Sequence, residues 1–328
     1  MISKNIQLSD IFYKELFKNN KLSELNIYVN GCLDFSELKI KMYKEDLSDI
    51  SIFKNCKELI IINCVNIKDV SMLCDLKKLK ISNCDGIIDV STLGNIYDLE
   101  LELCINIIDV SKLGNVKKLN LSHCYRISDV SNLGNCEELD LTLCYKITDV
   151  SKLGNVKKLN LTGCKNIIDV SNLGNVKKLN LRNCNKIKDV SMLGNCEELD
   201  LTYCDGISDL SNLGNVKKLN LSYCKNIKDI SMLGNCEDLN LSGCKIIRKR
   251  NISSLKNVKK LNLSYCINIK DVSMLGNCEE LNLTGCYLIT DVSMLGNVKK
   301  LNLSHCVNIS DVSSLKNIEK LILYGCNV

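Results

Sequence analysis

Val116-Lys-Lys-Leu-Asn-Leu-Ser-His-Cys-Tyr-Arg-Ile127, followed by Ser128-Asp-Val-Ser-Asn-Leu-Gly-Asn135, is one copy of a twenty-residue unit that recurs, lightly edited, along most of the 328-residue chain. Its first leucine stands at Leu59, Leu79, Leu99, Leu119, Leu139, Leu159, Leu179, Leu199, Leu219 and Leu239. After a two-residue slip it returns at Leu261, Leu281, Leu301 and Leu321. A fixed period of this size marks a solenoid, in which one unit cannot bury its apolar side alone and stacks on its neighbours. Leu119 and Leu121 alternate with Asn120 and Ser122, the period-two pattern of a short half-buried strand. Val116, Cys124, Ile127, Val130 and Leu133 supply the other apolar positions. Such a set is too small for an independent core and large enough for one shared between coils.

The repeat fixes the domain organisation. Residues 38–328 read as one solenoid, with a degenerate coil at Leu38–Ser51 and about fourteen regular coils from Cys56 onward. Residues 1–37 depart from the motif and read as an N-terminal cap. Ser9 is placed to cap a short helix through Lys18, with Leu8, Phe12 and Leu16 at i+4 spacing. All four phenylalanines, Phe12, Phe17, Phe35 and Phe53, fall near this end, where large rings would seal the stack.

Net charge is +5, with Lys and Glu interleaved, which gives no reason to expect nucleic-acid binding. No signal-type or membrane-spanning apolar run is present, so the expected location is the cytoplasm. A composition rich in Lys, Ile and Asn and without Pro or Trp resembles coding from an AT-rich genome, such as those of some protists or large DNA viruses; for a viral chain the location becomes the host cytoplasm. Of the 21 cysteines, most share one motif position from Cys64 to Cys326, where stacking predicts an inward file of reduced thiols. No CxxC pair exists, and the spacing of eight between Cys136 and Cys144 does not resemble zinc ligation. No metal or cofactor is expected.

The segment Val116-x-x-Leu-x-Leu-x-x-Cys-x-x-Ile127 resembles the conserved part of leucine-rich repeats, in the variant with cysteine in place of asparagine. The run from Cys136 to Asp149 is similar to the cysteine-containing repeats of F-box substrate receptors, and Asp-Val-Ser-x-Leu resembles the variable part of internalin-like repeats. The resemblance covers residues 56–328 closely and 38–55 loosely. It implies a right-handed arc, an α/β-type solenoid dominated by β, with a parallel concave sheet and short turns or 3-10 segments on the convex side. The units are shorter than those of commoner members, leaving too little chain for a convex α-helix.

Several positions stand out as candidate sites. Asp recurs at 49, 69, 89, 109, 129, 149, 169, 189, 209, 229, 271, 291 and 311. Two carboxylates about 5 Å apart repel by roughly 3 kcal/mol at an effective dielectric of 20, so each needs a partner. The following turn's N–H, in the manner of a helix N-cap, is the simplest one, and a calcium ladder is the sharper alternative. Paired charges before each strand, such as Lys117-Lys118 and Glu137-Glu138, suit either mutual pairing or a charge pattern matched to a ligand. The residue before each motif cysteine and the two after it vary most. They place His123, Tyr125, Tyr145, Tyr203, Tyr223, Tyr265, Tyr287 and His305 at one rim of the sheet, the expected partner-binding surface, with drift at an unconstrained turn as the rival explanation. Lys245–Asn251 carries the two extra residues and loses the Asp, leaving Arg248, Lys249 and Arg250 as a basic bulge, either a contact loop or a tolerated insertion. Near the C-terminus Ile322 and Tyr324 replace the usual outward Asn or Asp and Ser or Thr, which suits either self-association along the strand edge or simple degeneration of the motif.

A uniform array offers few unique residues to converge on a pocket, and His123 and His305 are far apart, so the chain is not expected to be an enzyme. The leading expectation is a non-catalytic protein–protein interaction scaffold working through the concave face and its tyrosine rim. The resemblance adds a substrate-recognition subunit of a ubiquitin ligase, although no clear F-box precedes the coils. A self-associating rod is the third reading.

Overall fold

Among the described residues fifteen strands, from β1 (Lys39–Tyr43) to β15 (Lys320–Ile322), form a single parallel sheet in sequence order. This computed structural model describes residues 39–43, 48–56, 58–245, 247 and 252–328. The expected cap at 1–37 with its helix, and the basic bulge Arg248–Arg250, lie outside the described residues. Register advances by one repeat per strand, Leu119 opposite Leu139 and Leu139 opposite Leu159. Across the slip Leu239 still faces Leu261, so the two extra residues are absorbed outside the sheet.

The inward set is as the pattern requires. Val116, Leu119, Leu121, Cys124, Ile127, Val130 and Leu133 are each at most 3% exposed, and their equivalents join one continuous core along the stack. On the far side of most coils the chain closes with a 3-10 turn such as Ser131–Asn135. The coils at Ser151 and Ser211 close with simple turns.

Each of the thirteen repeated aspartates accepts a hydrogen bond at Oδ1 from the backbone N–H of the serine two residues on, at 2.8–3.0 Å. The partner is the one expected, but the position differs from a helix N-cap. Val130 occupies the cap position, and Asp129 stands one residue earlier and makes an Asx turn. That hydrogen bond holds the Asp129 carboxyl below the usual carboxylate range, although Asp109 and Asp149 push it the other way.

A second Asx series ends the strands. Asn120 Oδ1 accepts the Ser122 N–H at 2.8 Å, and Asp140 and Asn160 do the same for Thr142 and Thr162. Where the position holds Ile60, Lys80 or Glu100, strands β2 (Glu58–Ile62), β3 (Lys78–Ser82) and β4 (Asp98–Glu102) run for five residues. From β5 (Lys118–Asn120) to β14 (Lys300–Asn302) the Asn or Asp bends the chain, and each strand has three. The inter-coil bonds continue past the bend, Leu121 N–H to Asp140 and His123 N–H to Thr142.

The cysteine file has a polar reason as well as an apolar one. Cys124 Sγ donates to the Leu101 carbonyl of the preceding coil at 3.0 Å, and Cys144 to Leu121 at 3.2 Å. Alanine would fill much of the space but leave those carbonyls without the thiol. Burial pushes the thiols up, Cys104 to about 12 and Cys136 to about 11. Thiolate is the reactive form, so alkylation of the native protein is expected to be slow, with half-buried Cys74 and Cys326 the first of the described cysteines to react. Rapid labelling of Cys124 under native conditions contradicts this packing.

The aspartate turns make stability acid-sensitive in a defined direction. A carboxyl whose pKa is lower folded than unfolded contributes stability fully present above the unfolded value and lost as pH falls through the folded one. The urea midpoint is therefore expected to drop below about pH 4. Asp129→Asn, which keeps the acceptor, is expected to cost less at pH 7 than Asp129→Ala; equal losses would show that the side-chain acceptor is immaterial.

Candidate partner-binding surface

Outward strand residues line a shallow trough that runs along the sheet through Lys118, Asn120, Glu138, Asp140, Lys158 and onward to Asn240. Its charges pair across adjacent strands. Glu138 lies 3.1 Å from both Lys118 and Lys158, and Glu280 lies 3.2 Å from Lys260 and 3.0 Å from Lys300. The two ammonium groups, Lys158 first, hold the Glu138 carboxyl below its ordinary range. Exposed pairs of this kind contribute about 0.2–1 kcal/mol each, so they fix register more than they add stability. Mutual pairing thus accounts for much of the repeated charge. The next outward row is mostly Ser and Thr, half-buried or buried; some hydroxyls bond across coils, Thr202 with Ser222 at 3.1 Å and Ser242 with Ser264 at 2.8 Å, and others bond the Asn of their own coil, as Thr162 does to Asn160.

The rim is built on a turn. Cys124 N–H bonds the Leu121 carbonyl, and His123 between them has φ +62°. A positive φ at the third position of such a turn is type II geometry, which favours Gly or Asn. The residue before the motif cysteine is left-handed in all fourteen coils from Asn63 to Gly325. Four are Gly and three Asn, and the remaining seven are Leu103, His123, Leu143, Tyr203, Tyr223, Tyr265 and His305. A left-handed conformation costs an ordinary residue about 1–2 kcal/mol. Variation here is therefore not drift at an unconstrained position; the backbone restricts it, and the large side chains are held against that restriction.

Those side chains have a common seating. An ideal Cβ on Gly243 would stand 2.5 Å from Tyr223 Cδ1, one on Gly285 2.8 Å from Tyr265 Cδ1, and one on Gly325 2.6 Å from His305 Nδ1. Leu143 lies over Gly163 in the same way. Each glycine thus opens space for the large residue of the coil before it. The order large-then-Gly is visible in the sequence, but its meaning depends on the sign of φ.

The expected site residues form separate groups. His123 Nδ1 lies 3.0 Å from the Tyr125 hydroxyl, and Tyr125 stacks on Tyr145 with centroids 5.4 Å apart. Tyr203 stacks on Tyr223 at 4.9 Å, and His305 meets Tyr324 edge-on at 5.2 Å. Tyr265 and Tyr287 are exposed on the same rim, and Tyr324 is 74% exposed while Ile322 is half-buried. Sequence reasoning missed Arg182, whose guanidinium lies 5.6 Å from the Tyr203 ring centroid. Its signal was present: it is a lone arginine in a row of Ser and Thr.

Among solved structures the architecture has clear counterparts. An internalin, InlF, of Listeria monocytogenes matches with a TM-score of 0.57 at 23% identity, over 87% of this chain and 84% of that one. The chain has the leucine-rich-repeat fold. The functional domain of InlJ from the same bacterium, described as including a cysteine ladder, matches with a TM-score of 0.50 at 20% identity, over 85% of this chain and 61% of that one. A leucine-rich-repeat protein of Leptospira interrogans matches with a TM-score of 0.50 at 19% identity, over 87% and 94% of the two chains. No protein-family model and no curated protein matches the sequence. The parallel sheet and its inward thiols make this a cysteine-type leucine-rich-repeat array, as the Leu-x-Leu-x-x-Cys motif led us to expect. No helix among the described residues is long and apolar enough to cross a membrane.

The seating of the rim residues is testable. Gly243→Ala is expected to destabilise the fold by about 1–2 kcal/mol, the cost of the left-handed backbone, with further loss from displacing the Tyr223 ring. Adding Tyr223→Asn is expected to recover about 0.5 kcal/mol or more, measured as a double-mutant coupling. Strict additivity would mean that ring and glycine do not interact.

Proposed function

We propose that this leucine-rich-repeat protein is a non-catalytic scaffold that engages a protein partner through the outward face of the sheet and the tyrosine-bearing rim. One observation carries the reading: seven left-handed positions keep large side chains where Gly or Asn would relax the backbone. The fold does not need them, since Asn183 and Gly163 form the same turn. Tyrosines on a rigid frame give large contact area at low entropic cost. Tyr203, Tyr223 and Tyr265 are each more than a third exposed, so their rings are available to another surface.

Among the described residues no group of three or more His, Cys, Asp or Glu side chains is arranged to hold a metal. We place the protein in a reducing compartment, the cytoplasm, because its many buried cysteines are free thiols.

Affinity capture from the native cell tests the reading. A triple variant, Tyr203→Asn, Tyr223→Asn and Tyr265→Asn, leaves the left-handed turns with a residue they accept and is expected to retain the fold. It is expected to lose the captured partner by about tenfold or more, since truncating anchor aromatics at interfaces commonly costs at least 2 kcal/mol. Capture unchanged by the triple substitution removes the rim from the account.

A further inference from the structure

A repeat supplies its own control: a position that differs in one coil stands against the same position in all the others. Two such departures fall in the same coil. The outward row that reads Ser122, Thr142, Thr162 and then Thr202, Ser222, Ser242 holds Arg182 between them. In the row of strand charges, Lys158 faces Lys178 where acid and base otherwise alternate through the middle of the sheet.

The ion pairs turn away from this seam. Lys158 reaches back to Glu138 at 3.1 Å and Lys178 forward to Glu198 at 2.9 Å. Lys157 and Lys177 likewise diverge, to Glu137 at 3.3 Å and Glu197 at 3.8 Å. Both inner glutamates are already shared, Glu138 with Lys118 and Glu198 with Lys218, so four lysines divide two carboxylates. Lys300 also faces Lys320, but no arginine stands in the coils there.

At the seam Asn160 faces Asn180, and the nearest carboxylates of that row, Asp140 and Asp200, stand one strand further out on either side. Asn180 accepts the Arg182 N–H at its Oδ1, at 2.9 Å, which leaves its amide NH2 as the remaining donor. Arg182 is exposed and has no carboxylate partner among the described residues. Its guanidinium carbon lies 5.6 Å from the ring centroid of Tyr203, itself left-handed and stacked on Tyr223. A guanidinium without a carboxylate partner keeps its N–H donors free for a planar, two-oxygen acceptor.

We propose that this seam is the specificity pocket of the scaffold: it receives a carboxylate side chain from an extended acidic segment of the protein partner, with Arg182 as the anchor. Lys158 and Lys178 supply the field, and the Tyr203–Tyr223 stack takes the flanking apolar group. The inference rests on the scaffold reading. Charge complementarity favours an acidic peptide over nucleic acid, because Glu138 and Glu198 bound the excess of positive charge within about two strand spacings on either side, too short a track for a phosphate backbone.

The test uses the full chain and a rhodamine-labelled hexaglutamate peptide, followed by fluorescence anisotropy at low and moderate salt. Binding that weakens with salt is expected. Arg182→Thr, which restores the residue of both neighbouring coils, is expected to weaken it by about tenfold or more, the loss of a charge-assisted hydrogen-bonded contact. Lys300→Gln, at the other lysine pair, is expected to leave it within about twofold. Absence of binding, equal binding by Arg182→Thr, or tighter binding of a six-nucleotide single strand at the same salt would each overturn the proposal. Partner capture by Arg182→Thr at native strength would sink the pocket alone, whereas a native chain that captures nothing would sink the scaffold reading itself.

Discussion

A coil of twenty residues has no inside of its own, and the rest of the molecule follows from that constraint. Leu119 and Leu121 are buried only because Leu99 and Leu139 stand one strand away on either side. Stability therefore belongs to interfaces between coils, and every coil must return the chain to the same place, displaced by one strand spacing of roughly 4.8 Å. Both corners of the coil must be closed within a few residues. Among the described residues no long helix absorbs the backbone groups, and short side chains do it: Asp129 at one corner, Asn120 at the other.

This division explains which parts of the fold the sequence made legible. Period, strand and inward set follow from spacing alone, because apolar positions repeat with the geometry. The partner of Asp129 followed from electrostatics, since a file of bare carboxylates needs compensation. Asn120 was harder to read. A polar residue on the outward face of a strand needs no explanation, so its second task, bending the chain, shows only when Ile60, Lys80 and Glu100 are seen to prolong their strands. The left-handed turn was hidden in another way. Its Gly and Asn residues are diluted by Leu, His and Tyr, and a mixture of that kind looks like tolerance until the sign of φ is known.

The same turn changes how the rim is understood. At a permissive position, tyrosine and glycine would be alternative outcomes of neutral change. At a left-handed position they have opposite backbone costs, and the tyrosines occupy the expensive side. Strain alone does not identify a partner, but it separates residues the fold requires from residues it merely carries. The glycines that follow Tyr223, Tyr265 and His305 belong to the same arrangement, because each removes the one atom that would collide with the large side chain before it.

Regularity also limits where recognition can occur. A ladder of matched charges satisfies itself: wherever Lys and Glu alternate, each presents a partner with groups already engaged, and a ligand must break those pairs before making its own. An identical surface every 4.8 Å would, moreover, give a ligand many equivalent registers and no unique one. Specific binding by such an array therefore depends on its irregularities, where a charge is left over or a side chain has no counterpart. The coil in which Lys178 faces Lys158 and Arg182 replaces a threonine is a place where both conditions meet.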